Sequence, residues 1–383
     1  MLLTDQDLIE LVEWRRKLHT MPEISGEEAE TAREVAGALA QTSPDFIVTG
    51  LGGHGVAAIF DGSEPGPTVM FRAELDGLAI EDASDIPHRS RIQGRGHQCG
   101  HDGHMATLMA LARCLSRKRP KRGRAVLMFQ PAEENGAGAA AVVADPRYAS
   151  IKPDYAFAYH NMPGMALGRA ALVEGPITCA SRGMRIALTG RTAHASMPET
   201  GLSPVPAFLR LLPALDRLSS GEPHSPDFAM TTVTHVEAGE RVFGVAPGHG
   251  EIWVTLRTLA DSRMEELRLD AERLAREAAA EAGLAVEVGY DSVFADCVND
   301  PEAVGYLRRA LGDECVAHDA GELPLRGSED FGGFGKDGTK LAMFLLGAGE
   351  NRPHLHNPDY DFPDDLIGIG ARIFGRVLRD ILG

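Results

Sequence analysis

Residues 103–129 read GHMATLMALARCLSRKRPKRGRAVLMF, and the order of patterns in this stretch decides the fold. Apolar residues recur at helical spacing from Gly103 to Leu115, and the short apolar run Ala125–Phe129 predicts a buried strand. Gly55–Phe60 and Thr68–Phe71 are brief strand-like runs before the helix, and Tyr155–Tyr159 is another after it. Strand, helix and strand in this order predict an α/β sheet with parallel pairs. The basic run Arg113–Arg124 reads as a solvated helix end and turn rather than a site for polyanions.

Two helices are expected ahead of this unit. Leu8, Leu11 and Leu18 stand at helical spacing before Pro22, and Ser25 with Glu28 predicts a capping box ahead of Ala32, Val35 and Leu39. From Arg182 the texture changes. Met184–Leu188, Ala229–Val236, Ile252–Leu256 and Ala285–Val288 read as strands, with helices over Val205–Leu218 and Ser262–Ala282. Their order is β-α-β-β-α-β, a ferredoxin-like α+β arrangement. Helix Ala303–Leu311, strand Leu341–Leu346 and helix Asp364–Leu382 then resume the first pattern. The expected fold is a mixed-sheet α/β domain with helices on both faces, residues 1–181 and 292–383, interrupted by an inserted domain over residues 182–291.

A chain of 383 residues, 44% hydrophobic and 24% charged, has the composition of a folded protein of about two domains. Lys+Arg 38 and Asp+Glu 55 leave a formal net charge of −17, which argues against nucleic acid and membrane partners alike. No apolar run approaches the ~18–20 residues needed to span a bilayer. The opening MLLTDQDLIE is acidic where a signal peptide is basic, so a cytoplasmic location is expected. Cys99, Cys114, Cys179, Cys297 and Cys315 are odd in number and widely spaced, which fits a reducing compartment.

Chemistry concentrates in Gly94–His104, GRGHQCGHDGH, where Cys99 and three histidines stand within eight residues. A soft anion and an imidazole at Cys99-x-His101 can face one metal ion, and Asp102 is a candidate to orient a ligand imidazole. Glu133 and Glu134 follow the strand Ala125–Phe129, His160 follows Tyr155–Tyr159, and His354 and His356 lie near the C-terminus. Strand-end positions are where open α/β sheets build ligand sites. Together these clusters predict a metal site assembled from loops above one sheet.

Eight motifs in order carry a resemblance to a known family: WRRKLHTMPEISGEE, FRAELDGLAI, GRGHQCGHDGH, FQPAEENGAGA, HNMPG, GRTAHASMPE, GSEDFGGF and LHNPDYDFPD. The chain resembles the M20 metallopeptidases, specifically the amidohydrolase branch that includes hippurate hydrolases, N-acyl-amino-acid amidohydrolases and auxin-conjugate hydrolases. By this resemblance Cys99 bridges two divalent ions (Zn, Mn, Co or Ni), and His101, Glu134, His160 and His356 complete the ligand set. Glu133 is implied as general base, Asp76 as the carboxylate that orients it or its neighbours, and His194 as the group stabilising the oxyanion. Arg257, Gly327 and Ser328 are implied for the substrate carboxylate. The resemblance further implies a small amide substrate and a homodimer paired through the inserted domain, which also serves as a lid. Alternatives are a metal-binding descendant without catalysis and a hydrolase of a non-peptide amide or aryl amine. The chain departs from the branch at Glu74, where a shorter acid is usual, and at Gly244, where many members carry asparagine.

Overall fold

The run Ala125–Phe129 forms the middle of a strand buried on both faces. In the computed structural model, which describes residues 3–383, the chain divides into two units. The first runs to Ile177 and resumes over Cys297–Leu323 and Asp330–Gly383; the second comprises Thr178–Asp296 and Pro324–Glu329.

Unit 1 begins with helices α1 (Asp5–His19) and α2 (Ala29–Ala40) and strands β1 (Phe46–Leu51), β2 (Gly55–Asp61) and β3 (Glu64–Glu74). Helix α3 (His101–Arg117), β4 (Arg122–Gln130), α4 (Gly138–Ala144) and β5 (Tyr155–Pro163) follow, and after unit 2 come α7 (Pro301–Asp313), a strand over Lys340–Gly349 and α8 (Asp365–Leu382). Among the described residues the sheet has eight strands, in the order β1, β2, β4, β3, β5, Lys340–Gly349, Ala170–Ala171, His318–Asp319. β4, β3, β5 and Lys340–Gly349 are parallel neighbours, and β1 and β2 are antiparallel additions at one edge.

Alternation along each strand sends side chains to two covered faces. Val69, Phe71, Leu127, Phe129, Phe157 and Phe344 join one apolar core with α1, α2, α3, α7 and α8. Met70, Val126, Met128 and Ala158 point the other way and are equally buried. On that face Asp330 accepts hydrogen bonds from Arg72, Gln130 and the Ala139 amide, which ties the segment Asp330–Asp337 and α4 to the sheet.

The capping box expected at Ser25 and Glu28 does not form. Glu28 occupies the N-cap of α2 without a side-chain cap, because both side chains turn away towards distant loops. The basic run behaves as expected of a solvated surface: Arg113 and Arg117 pair with Asp7, Arg119 with Asp45 and Arg124 with Asp61.

Unit 2 holds a four-stranded antiparallel sheet in the order Ala229–Ala238, His249–Thr258, Ala180–Thr189, Ala285–Phe294. Helices α5 (Val205–Asp216) and α6 (Asp261–Ala282) cover one face through Phe208, Leu211, Leu215, Met264, Leu267 and Ala271. The short piece Pro324–Glu329 attaches here, with the Cys179 amide donating to Gly327 O at 3.0 Å.

At the start of α3 close approach excludes side chains. Gly100 has φ 86° and lies against Asn161, and a Cβ on Gly103 would stand 2.2 Å from the Phe362 ring. Gly103→Ala should therefore destabilise the protein by about 1–3 kcal/mol through overpacking. Urea unfolding checks this, and a variant as stable as the parent would contradict the packing described.

Candidate metal centre

The carboxyl ends of parallel neighbours lie at one edge of a sheet, and the candidate ligands of unit 1 sit there. Asp76 follows β3 by two residues, Cys99 and His101 stand at the amino end of α3, and Glu133 and Glu134 come just after β4. His160 belongs to β5, and His356 lies in the loop after Lys340–Gly349 with φ 67°. Ala132, directly before the glutamate pair, also has a left-handed backbone at φ 51°.

These side chains converge. Cys99 Sγ is 3.3 Å from His160 Nε2. His101 Nε2 is 3.8 Å from Glu134 Oε1 and 3.9 Å from Glu133 Oε2, and His356 Nε2 is 3.6 Å from Glu134 Oε2. Atoms bound at ~2.0–2.3 Å to one tetrahedral ion lie roughly 3.3–3.8 Å apart, so the spacing suits metal ligation. Two groups of mutually close donors, Cys99 with His101 and His160, and Cys99 with Glu134 and His356, share the same sulfur.

The imidazoles of His101 and His160 are both held from behind. His101 Nδ1 is 2.9 Å from Asp76 O and His160 Nδ1 is 2.8 Å from Asn161 O, so each Nδ1–H donates to a carbonyl and each Nε2 faces the cluster. His101 Nε2 is buried and has no hydrogen-bond partner. Burial pushes the Cys99 thiol well up, and the carboxylates of Glu134 and Glu133 push it further. Burial likewise pulls His160 down, to about 3, with His104 adding to the effect, so the ring is a neutral donor. Divalent cations reverse the demand on the thiol, because their charge favours thiolate against thiol. The residues present therefore fit a metal.

Supporting groups connect the cluster to the sheet. Asp76 Oδ2 accepts from Ser25 Oγ at 2.7 Å and from the Glu134 amide at 3.0 Å. His104 Nδ1 is 2.7 Å from Glu74, which pairs with Arg72, and His104 Nε2 accepts from the Asn161 amide at 3.2 Å. Asn161 Nδ2 donates to Cys99 O at 2.7 Å. Glu74 and His104 were missed as partners by sequence reading, although both lie inside the motifs FRAELDGLAI and GRGHQCGHDGH. His97, the remaining histidine of the second motif, is buried with neither ring nitrogen hydrogen-bonded.

Asp102 departs from expectation. It does not orient a ligand imidazole; Arg15 donates to it at 3.0 Å and His19 Nδ1 lies 2.8 Å away, while the orienting role at His101 falls to Asp76. His354 is exposed. His194, Arg257, Gly327 and Ser328 belong to unit 2, where His194 is exposed and its Nδ1 lies 2.7 Å from Ser196 Oγ. Arg257 donates to Arg326 O at 3.1 Å and to Ser328 Oγ at 2.9 Å.

Comparison with known proteins agrees with this architecture. The model of peptidase family M20/M25/M40 matches residues 70–380, and the chain belongs to this family of hydrolases. It is 27% identical over 377 residues to an N-acetylcysteine deacetylase of Bacillus subtilis, covering 97% of each chain. It is also 27% identical to a hippurate hydrolase of Campylobacter jejuni, over 95% of this chain and 94% of that one. A Bacillus subtilis structure described as a dinuclear metal-binding peptidase of the M20 family superposes with a TM-score of 0.82 at 24% identity, covering 99% of both chains.

The Arg15–Asp102–His19 brace has a pH signature. Burial pulls His19 down, but Asp102 and Asp82 outweigh it and raise the imidazolium from 6.5 to about 9. A folded pKa above the unfolded one gives stability that is fully present below about pH 6.5 and lost as pH rises through about 9. The unfolding free energy of wild type over His19→Gln should therefore shrink by roughly 3 kcal/mol between pH 6 and pH 10. A gap independent of pH would refute the charged pair.

Proposed function

We propose that this protein is an amidohydrolase with a binuclear metal centre that cleaves the amide bond of a small N-acyl amino acid, or a related amide, to a carboxylate and an amine. One observation carries the reading: the Cys99 sulfur is common to two groups of ligand atoms, and Glu133 stands in the same cluster beside Glu134. In this reading Cys99, His101, Glu134, His160 and His356 hold two divalent ions, and Zn, Mn, Co and Ni all suit such a set. Bound there, the ions polarise the scissile carbonyl and acidify water.

The chain's own residues supply the remaining steps. Glu133 takes the proton of the attacking water on a carboxylate oxygen and delivers it to the departing amine nitrogen, acting as base and then acid. Asp76 keeps His101 and the Glu134 backbone in register. His194 donates to the developing oxyanion. Arg257, held beside Ser328 and Gly327, binds the substrate carboxylate; its half-buried guanidinium forms no ion pair with a carboxylate among the described residues, which supports this role. The names of the two relatives support the substrate class.

The reading includes a cytoplasmic C2 homodimer paired through unit 2, with His194 serving the partner's site. The exposure of His194 and of Val242, Phe243 and Val245 supports it.

Metal analysis of freshly purified protein, with turnover measured on acetyl, benzoyl and indoleacetyl amino acids, tests the proposal. Hydrolysis of at least one with about two ions bound per chain is the expected result; no turnover of any amide favours a binding protein. Glu133→Gln should keep its metal and lose about 10²–10⁴-fold in kcat or more, whereas Glu134→Gln should lose metal. The opposite pattern would reverse their roles. Co-expressed His194→Ala and Glu133→Gln chains should regain activity in about a quarter of sites. Verified mixed dimers without activity would place His194 in its own chain's site.

A further inference from the structure

The motif WRRKLHTMPEISGEE has no place in the reaction as described, yet two of its residues reach the loops that carry it. We propose that Ser25 and Glu28, on the connection between α1 and α2, are positioning residues for the Glu133–Glu134 pair. The inference rests on the roles proposed above for those two glutamates.

Glu28 is fully buried, and its Oε1 accepts from the Ala132 amide at 2.7 Å and from the Gly26 amide at 2.9 Å. Ala132, with its backbone at φ 51°, forms the turn between the end of β4 and Glu133. A left-handed non-glycine residue costs on the order of 1 kcal/mol and persists only where its surroundings over-determine it. Here the turn is closed on one side by Gly138 N donating to Ala132 O at 2.9 Å and Gly136 N donating to Glu133 O at 2.8 Å. The Glu28 carboxylate closes the other side. Without it the buried Ala132 N–H loses its acceptor, and an extended backbone becomes competitive.

Ser25 acts at the second glutamate. Its hydroxyl donates to Asp76 Oδ2, the same oxygen that accepts the Glu134 amide, so the serine fixes the carboxylate on which Glu134 hangs. The connection is itself anchored: Gly77 N donates to Glu23 O at 2.8 Å, and Glu23 Oε2 accepts from the Thr31 amide at 2.7 Å. Neither Ser25 nor Glu28 is among the converging metal-ligating groups. Their effect on the reaction is geometric, and a misplacement of about 1 Å in a reacting group can cost ~10²-fold in rate.

The test uses full-length, metal-loaded protein. Glu28→Ala should lower kcat about 10–100-fold per folded molecule while KM changes less than about threefold. Independently of activity, amide exchange in the peptide spanning residues 131–136 should accelerate, with exchange in α6 unchanged. Glu28→Gln keeps an accepting oxygen and places its amide nitrogen where Oε2 has no hydrogen-bond partner, so it should recover at least half of the logarithmic loss. Ser25→Ala removes one hydroxyl and decides the matter if Glu28→Ala does not fold; its expected loss is about 3–10-fold in kcat. Unchanged exchange over 131–136 in these variants, or activity that falls only with the folded fraction, overturns the positioning role. If the wild type hydrolyses no amide, the proposed function fails while the exchange measurements still decide the brace.

Discussion

A concentration of buried acid at one edge of a parallel sheet is the constraint on which the rest of this structure depends. Glu74 ends β3, Asp76 and Glu133 follow β3 and β4, Asp102 stands in the first turn of α3, and all four are buried. A buried carboxylate without compensation is costly enough to be protonated or to unfold its surroundings. Unit 1 meets the demand in two ways. Guanidiniums and an imidazolium serve the supporting acids: Arg72 goes to Glu74 and Asp330, and Arg15 with His19 goes to Asp102. The acids of the candidate cluster, Glu133 and Glu134, face imidazole nitrogens at 3.6–3.9 Å, a spacing that admits a cation between donor and donor.

This division explains why so much of the α1–α2 region faces inward. Arg15 is a wholly buried cation on a helix that otherwise reads as an amphipathic surface element, and Asp102, Asp361 and Asp364 surround it. Removing one member of such a buried set leaves the others uncompensated and costs about 3–5 kcal/mol. The same region delivers Ser25 to Asp76 after β3 and Glu28 to the turn after β4. A stretch distant in sequence from every ligand thus fixes both the helix that begins with His101 and the turn that ends in Glu134. The stiffness gained at the sheet edge comes from long-range polar contacts, because the turn itself has little apolar surface to pack.

Local pattern made part of this legible. Short apolar runs marked the strands and their periodicity marked the helices, and donor residues for a metal are chemically distinctive and clustered at strand ends, so the convergence of Cys99, His101, Glu134, His160 and His356 could be expected from residue type and resemblance. Partnerships across the chain could not. Ser25 and Glu28 carry the spacing of a capping box, and spacing alone cannot foresee that Asp76, 51 residues on, and Ala132, 104 residues on, compete for the same side chains. Asp102 failed in the same way: proximity to His101 in sequence suggested a contact, but the first turn of α3 directs the carboxylate towards α1 instead. The chain from Glu74 through His104 and Asn161 to Cys99 joins three segments, and no one of them alone announces the pairing.

Where the chain departs from the branch it resembles, the structure separates changes that touch the scaffold from changes that touch recognition. Glu74, one methylene longer than the usual acid, still meets both Arg72 and His104, so the longer arm is absorbed within the buried network. Gly244 is different. Its backbone carbonyl accepts the Ala195 amide at 3.0 Å, and the next residue, Val245, pairs with His194, so the strand beside the histidine is intact. A Cβ at Gly244 would meet nothing within 4 Å, and its φ lies outside the left-handed region, so neither crowding nor backbone geometry requires glycine there. A side chain absent without a steric reason, next to the proposed oxyanion group, removes hydrogen-bonding capacity and leaves room. Under the proposed function, that difference bears on which acyl or amine group is accepted and leaves the candidate cluster of unit 1 untouched.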